Sequence, residues 1–182
     1  NPAGSVKDRM IAYVVDRAKV FGKIKDNTIL CEATSGNTGI ALSMAAASLG
    51  LSCLIFMPEN MSEERRQMMR AYGAKIINAP ADDFVGAIAM RDQYLKANEN
   101  AWSPMQFSNQ DNVLCHQHQT APEIHRQVIE QKHLWSAFVH GAGTGGTMEG
   151  IRKYKEVHNL KTKLCLVQPM ESPHGIQGIA DG

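Results

Sequence analysis

The feature that most constrains this chain is a regular alternation of short β-rich runs with longer helical patterns. Residues 28–32, 53–57, 75–79, 137–140 and 164–168 read as strands, rich in Ile, Val, Leu, Cys and Phe and bounded by Gly, Asn and Pro. Between them, the spacing predicts helices over 5–21, 38–49, 62–73, 83–97, 112–132 and 147–157. Ser5 is the expected N-cap of the first, with Asp8 completing a capping box, and Val6, Met10, Ile11, Val14, Val15 and Ala18 on its apolar face. Ser62 caps the third, which opens on Glu63 and Glu64 as the helix dipole prefers. Strand–helix alternation without internal repeats implies a parallel, doubly wound α/β sheet. Residues 102–107 read as connection, and the polar stretch 98–112 as the crossing between two α/β units. The expected division is therefore 1–109 and 110–182.

With 43% apolar and 20% charged residues in 182, the composition is that of an ordered globular protein. A net charge of +1 offers no field to attract nucleic acid or an anionic membrane. No apolar run approaches the roughly 18 residues a membrane span needs. Cys31, Cys53, Cys115 and Cys165 are scattered without a CxxC pair, which predicts buried, reduced thiols in a cytoplasmic protein rather than disulfides. His116 and His118 are too far apart around a helix to share a metal, so no metal site is expected.

In doubly wound sheets, ligands bind beyond the carboxyl ends of strands, against helix N-termini. Three segments meet that description: residues 1–8, 33–39 and 141–147. Lys7 falls in the first turn of the first helix, where the dipole disfavours a cation. A solvated surface charge is the commoner outcome there, but a lysine so placed can also be a neutral amine able to form a Schiff base or take a proton. The second segment, Ala33-Thr34-Ser35-Gly36-Asn37-Thr38-Gly39, offers amides and hydroxyls that suit a carboxylate, though a plain capped turn reads equally well. The third, Gly141 to Thr147, satisfies GxGxxG, yet the next strand ends in Gln168 rather than an acidic residue. A compact phosphate cup therefore fits it better than a nicotinamide-dinucleotide site.

The segment NPAGSVKDR resembles the lysine motif of the cysteine synthase and cystathionine β-synthase family, the fold-type II pyridoxal-phosphate enzymes. EATSGNTGIAL is similar to that family's substrate loop and GTGGT to its phosphate loop. MPENMSEERRQMMRAYGAKI, QFSNQDN and TAPEI are similar to further family segments, in family order over nearly the whole chain. The resemblance implies two doubly wound α/β units of the tryptophan synthase β-like architecture, the second incomplete. It implies that Lys7 holds pyridoxal 5'-phosphate as an internal aldimine and, once released, removes the substrate's α-proton. Asn37 would hydrogen-bond the cofactor's 3′-oxygen, and Gly143, Thr144, Gly145, Gly146 and Thr147 would cradle its phosphate. Thr34, Ser35, Gly36 and Thr38, helped by Gln106, would bind the α-carboxylate. The implied reaction is β-replacement on an activated serine: an α-aminoacrylate accepts sulfide or a thiol and yields cysteine. The implied partners are an amino-acid substrate, a sulfur donor and a second copy in a homodimer, with no nucleic acid or membrane.

The sequence also departs from the family. The serine or threonine that faces the pyridine nitrogen belongs to a motif further towards the C-terminus, which does not occur here, and family sequence before Asn1 is missing as well. Both point to a chain truncated at its two ends. QPMESPHGIQGIADG is shorter than expected for the O-acetylserine-specific branch, which makes His174 and Gln177 candidate pocket residues. Cystathionine β-synthase and serine/threonine dehydratase activities, a non-catalytic fragment of the fold, and a nucleotide-binding domain stand as alternatives.

Overall fold

In a computed structural model of the chain, residues 1–171, 174, 176, 178 and 179 are described. Two compact units divide it, Asn1–Met105 and Gln106–Gly182. The first is built on four parallel strands in the order β3-β2-β1-β4: β1 (Ile29–Ala33), β2 (Ser52–Pro58), β3 (Lys75–Ala79) and β4 (Ala101–Trp102). Ile29 pairs with Ser52 and Ala33 with Phe56, while Leu54 pairs with Lys75 and Pro58 with Ala79.

Alternate residues of the central strands serve opposite faces of this sheet. Leu30, Cys53, Ile55 and Met57 join one cluster with α1 (Lys7–Val20), α2 (Asn37–Leu49) and Met69 of α3 (Glu63–Ala71). Cys31, Ala33, Phe56 and Ala79 join another with Ala87, Ile88 and Tyr94 of α4 (Phe84–Ala97). Helices thus cover both faces, as the doubly wound reading requires, and each fully buried Leu or Ile contributes about 1.5–3 kcal/mol. Burial pushes the thiols of Cys31 and Cys53 up to about 12, so both are protonated at neutral pH.

The helix boundaries follow local chemistry. Gly50, at φ +65°, closes α2 in the left-handed conformation that glycine adopts without steric cost. Ser62 accepts from the Arg65 amide and caps α3 as expected. Asp83 Oδ1 accepts from the Gly86 amide at 2.7 Å and caps α4. Asp83→Ala is expected to cost about 1 kcal/mol of stability, read as a lowered urea midpoint at unchanged slope.

Three local expectations are corrected. The capping box at Ser5 does not form: Val6 is the N-cap of α1, and Asp8 reaches back to the Ala3 amide at 2.8 Å. Ser5 Oγ instead accepts from the Lys7 amide at 3.2 Å. Part of the connection after residue 101 is a strand, because Ala101 and Trp102 pair in parallel with Ile29 and Leu30. The long helix over 112–132 is three segments, α5 (Gln110–Cys115), a π-helical turn (His116–Thr120) and α6 (Ala121–Glu130).

In the second unit, β5 (Ala137–Gly141) and β6 (Lys163–Val167) pair in parallel, with α7 (Gly146–Val157) between them in sequence. Its core holds Ala121, Ile151 and Tyr154, packed by Ile124, Trp135, Phe138, Leu160 and Leu164. A side chain at Gly150 would meet His116 Cβ and the Val113 carbonyl, so α7 can lie against the π-helical turn only with glycine there. Cys165 on β6 is exposed, unlike the other three cysteines, and all four are free. No helix among the described residues is long and apolar enough to cross a membrane. Among the same residues no group of three or more His, Cys, Asp or Glu could hold a metal.

Candidate active site

Lys7 is the first residue of α1 and is half-buried. Its side chain makes no ion pair or hydrogen bond among the described residues. Burial without a counter-ion lowers its pKa from the ordinary 10.5, because the charged ammonium is the form that desolvation penalises. The neighbouring Asp8 does not compensate it. One carboxylate oxygen is engaged by the Ala3 amide, and the other is buried with no hydrogen-bond partner. Asp8 thereby ties the turn over residues 1–4 to the start of α1 and fixes where Lys7 emerges.

The loop after β1 is built from the same unit. The Thr34 amide donates to the Phe56 carbonyl at 3.1 Å, and Thr34 Oγ1 accepts from the Gly36 amide at 3.1 Å. Gly36 is the N-cap of α2, which carries no side-chain cap and no acidic residue in its first turn. The positive end of a 13-residue helix dipole is thus not offset by a side-chain cap at Gly36 or by a first-turn carboxylate. Thr34, Gly36 and Thr38 are buried, Ser35 is half-buried and Asn37 is exposed.

Two arginines beside this loop were not singled out by the sequence reading. Arg91 Nη1 donates to Glu32 Oε1 at 2.6 Å, with the side chains 5% and 0% exposed, and the same Glu32 oxygen accepts from the Ala33 amide at 2.8 Å. Arg65 Nη1 donates to the Ser35 carbonyl at 3.4 Å. The residue pair Arg65-Arg66 in the ERR run was the only local signal for Arg65, and it does not say which neighbour each arginine of the pair reaches. Arg66, by contrast, donates from all three of its nitrogens, to the carbonyls of Met61 and Pro58 and to Asn78, and staples the turn after β2.

In the second unit, Gly145 takes φ +78° and caps α7, again without a side-chain cap. Thr144 Oγ1 accepts from Asn112 Nδ2 at 2.9 Å, and the same Asn112 amide donates to the Gln106 carbonyl at 3.1 Å. A Cβ at Gly146 would fall on that Asn112 amide. Thr147 Oγ1 pairs with His116 Nε2 at 3.2 Å, while His116 Nδ1 pairs with Thr120 at 3.0 Å. Glu149, the acidic residue of the first turn, is held by Arg152, which keeps its carboxyl below the usual range. The loop is therefore a glycine-walled helix N-terminus whose hydroxyls are oriented from behind by Asn112 and His116. Its donor set fits a dianionic phosphate.

The first unit thus holds Lys7 and residues 34–38, and the second holds residues 143–147 and the buried Gln106. His174 Nδ1 accepts from the Ile176 amide, a loop-closing contact. Gln177 lies outside the described residues.

The sequence profile of the pyridoxal-phosphate dependent enzyme family matches residues 1–182. A cysteine synthase of Staphylococcus aureus is 36% identical over 191 residues, which cover 100% of this chain and 61% of that protein. The chain thus spans about three fifths of the length of the curated relatives it matches. Among solved structures, a hydrogen sulfide-producing enzyme of Fusobacterium nucleatum is 40% identical with a TM-score of 0.90, covering 98% of this chain and 57% of that one. An O-acetylserine dependent cystathionine β-synthase of Helicobacter pylori is 37% identical with a TM-score of 0.89, covering 100% and 61%.

Proposed function

The chain belongs to the pyridoxal-phosphate dependent enzymes, and from that premise we propose that it carries out β-replacement on an activated serine such as O-acetylserine, with sulfide or a thiol, giving cysteine. The observation that carries this reading is one unit presenting both a half-buried Lys7 amine, without a partner among the described residues, and a helix N-terminus at Gly36 that carries no side-chain cap. An amine-reactive cofactor suits the first and an α-carboxylate the second. The cysteine synthase and O-acetylserine dependent relatives support the substrate class.

When bound, pyridoxal phosphate supplies an aldehyde that condenses with amines and a pyridinium ring that withdraws electrons from the substrate's α-carbon. The rest is the chain's own work. Lys7 Nζ would hold the cofactor and would take the substrate's α-proton, a role suited to an amine whose pKa burial lowers. Asn37 orients the ring oxygen. Thr34, Ser35, Gly36 and Thr38, with Gln106, bind the carboxylate and order the loop over it, which excludes water. Gly143, Thr144, Gly145, Gly146 and Thr147 hold the phosphate. We assign the first role to the unit ending near residue 109 and the phosphate to the remainder. A cytoplasmic homodimer is the proposed setting; the buried free thiols of Cys31 and Cys53 suit a reducing compartment.

The test is product analysis on the cofactor-loaded chain. Cysteine from O-acetyl-L-serine and sulfide is expected. Cystathionine from L-serine and homocysteine instead, or pyruvate from L-serine alone, would move the assignment to another activity of the family. A second expectation concerns the phosphate loop. Gly146→Ala displaces the Asn112 amide from Thr144 and should weaken pyridoxal-phosphate affinity about 10- to 100-fold, read by absorbance titration.

A further inference from the structure

Arg65 is set differently from the arginine beside it. Its side chain lies flat on the substrate loop: a Cβ at Gly36 would come within 2.8 Å of Arg65 Nε and 2.9 Å of Nη1. A side chain at Gly36 would have to push the flexible end of Arg65 aside. The guanidinium has a single protein acceptor, the Ser35 carbonyl at 3.4 Å, and makes no ion pair among the described residues. Glu64, its chain neighbour, is exposed and turned to its own amide and to Ser62; it feels the charge of Arg65 but makes no ion pair with it. Asp8 is engaged with Ala3. Arg65 is only half-buried, so water and the loop share the rest of its donors.

A cation held on one carbonyl, with most of its five donors unspent, sits where the open N-terminus of α2 already favours an anion. We propose that Arg65 is a specificity-determining residue that makes the Thr34–Thr38 loop select a substrate by its ionised α-carboxylate. This rests on the functional reading above and adds the source of its charge selectivity. Hydroxyls, amides and the helix dipole already favour a carboxylate over a carboxamide; a nearby guanidinium enlarges that preference, since only the anion gains Coulomb energy from it. The Ser35 carbonyl contact keeps the guanidinium over the loop in the absence of ligand, so little ordering is left for the moment of binding.

The experiment uses the chain loaded with pyridoxal phosphate and follows the cofactor's absorption during titration with L-serine and, separately, with L-serinamide. Arg65→Gln is expected to weaken L-serine binding about tenfold while leaving L-serinamide within about twofold, so that the preference for the carboxylate falls by a comparable factor. Arg65→Lys keeps the charge and the apolar stem and is expected to retain most of the preference, with thermal unfolding confirming the fold of both variants. Equal weakening of the two ligands by Arg65→Gln shows a merely structural role and overturns the proposal. A preference undiminished in Arg65→Gln, or reduced equally in a folded Arg65→Lys, overturns it too. A loaded wild-type chain that responds to neither ligand overturns the proposal and the functional reading together.

Discussion

Lys7→Ala leaves a folded chain that no longer retains pyridoxal phosphate after borohydride reduction and whose turnover falls by at least about 10³-fold. The expectation follows from what surrounds the amine. Among the described residues Lys7 has no carboxylate to lose, so removing it orphans no partner there. It stands at the first position of α1, where a cation opposes the helix dipole and alanine is the better helix former. The fold should therefore be untouched or slightly strengthened, while the nucleophile and the general base, each commonly responsible for 10²- to 10⁴-fold of rate, vanish together. Mass spectrometry of the reduced protein locates the cofactor: it should sit on Lys7 in the wild type and on no residue in the variant.

The lowered pKa adds a sign that can be checked without cofactor. The folded chain binds a proton at Lys7 less readily than the unfolded chain does. Stability from this group therefore rises with pH between the lowered folded value and the ordinary 10.5. In Lys7→Ala that contribution is gone, so the variant's melting temperature should gain on the wild type at neutral pH and the gap should close towards pH 10.5. A gap that widens with pH would show that the ammonium is stabilised in the fold, contrary to its surroundings.

The largest expected loss of stability is at the buried pair. Arg91→Met leaves Glu32, fully buried, with its charge unmatched, and should cost about 3–5 kcal/mol in denaturant unfolding. The double variant Glu32→Met with Arg91→Met should cost clearly less than the sum of the single ones, because two apolar side chains leave no stranded charge. Additive losses would show that the two side chains act independently. Glu32 also accepts the Ala33 amide at the point where β1 feeds the Thr34–Thr38 loop. The single variant should accordingly raise KM for the amino acid more than it lowers kcat.

Much of this was open to reading from residue order. The alternation of strand and helix patterns settled a parallel α/β architecture, because side-chain period reports which local faces are buried. The three glycine- and hydroxyl-rich segments stood out because helix N-termini need donors facing outward, and their resemblance in order to one family identified the cofactor. The two-residue strand β4 was invisible, since so short a run has no period; only its pairing with Ile29 and Leu30 makes it a strand. The π-helical turn at His116–Thr120 was read as ordinary helix for the same reason, its composition being helical and its extra residue dictated by packing on Gly150 of α7. Cys165 shares the apolar setting of the buried cysteines and yet is exposed.

The contacts that give the site its chemistry join residues far apart in the chain: Arg65 to Ser35 across 30 positions, Asn112 to Thr144 across 32, Arg91 to Glu32 across 59. Local periodicity carries no information on such pairs. They depend on which strands neighbour which in the sheet and on which helices cross them, and those are outcomes of packing the whole unit. The sequence by itself therefore determined the kinds of groups the loops present and the family to which they point. The tertiary structure alone decided which arginine is spent on holding the fold and which is held over the substrate loop by the Ser35 carbonyl, without an ion pair among the described residues.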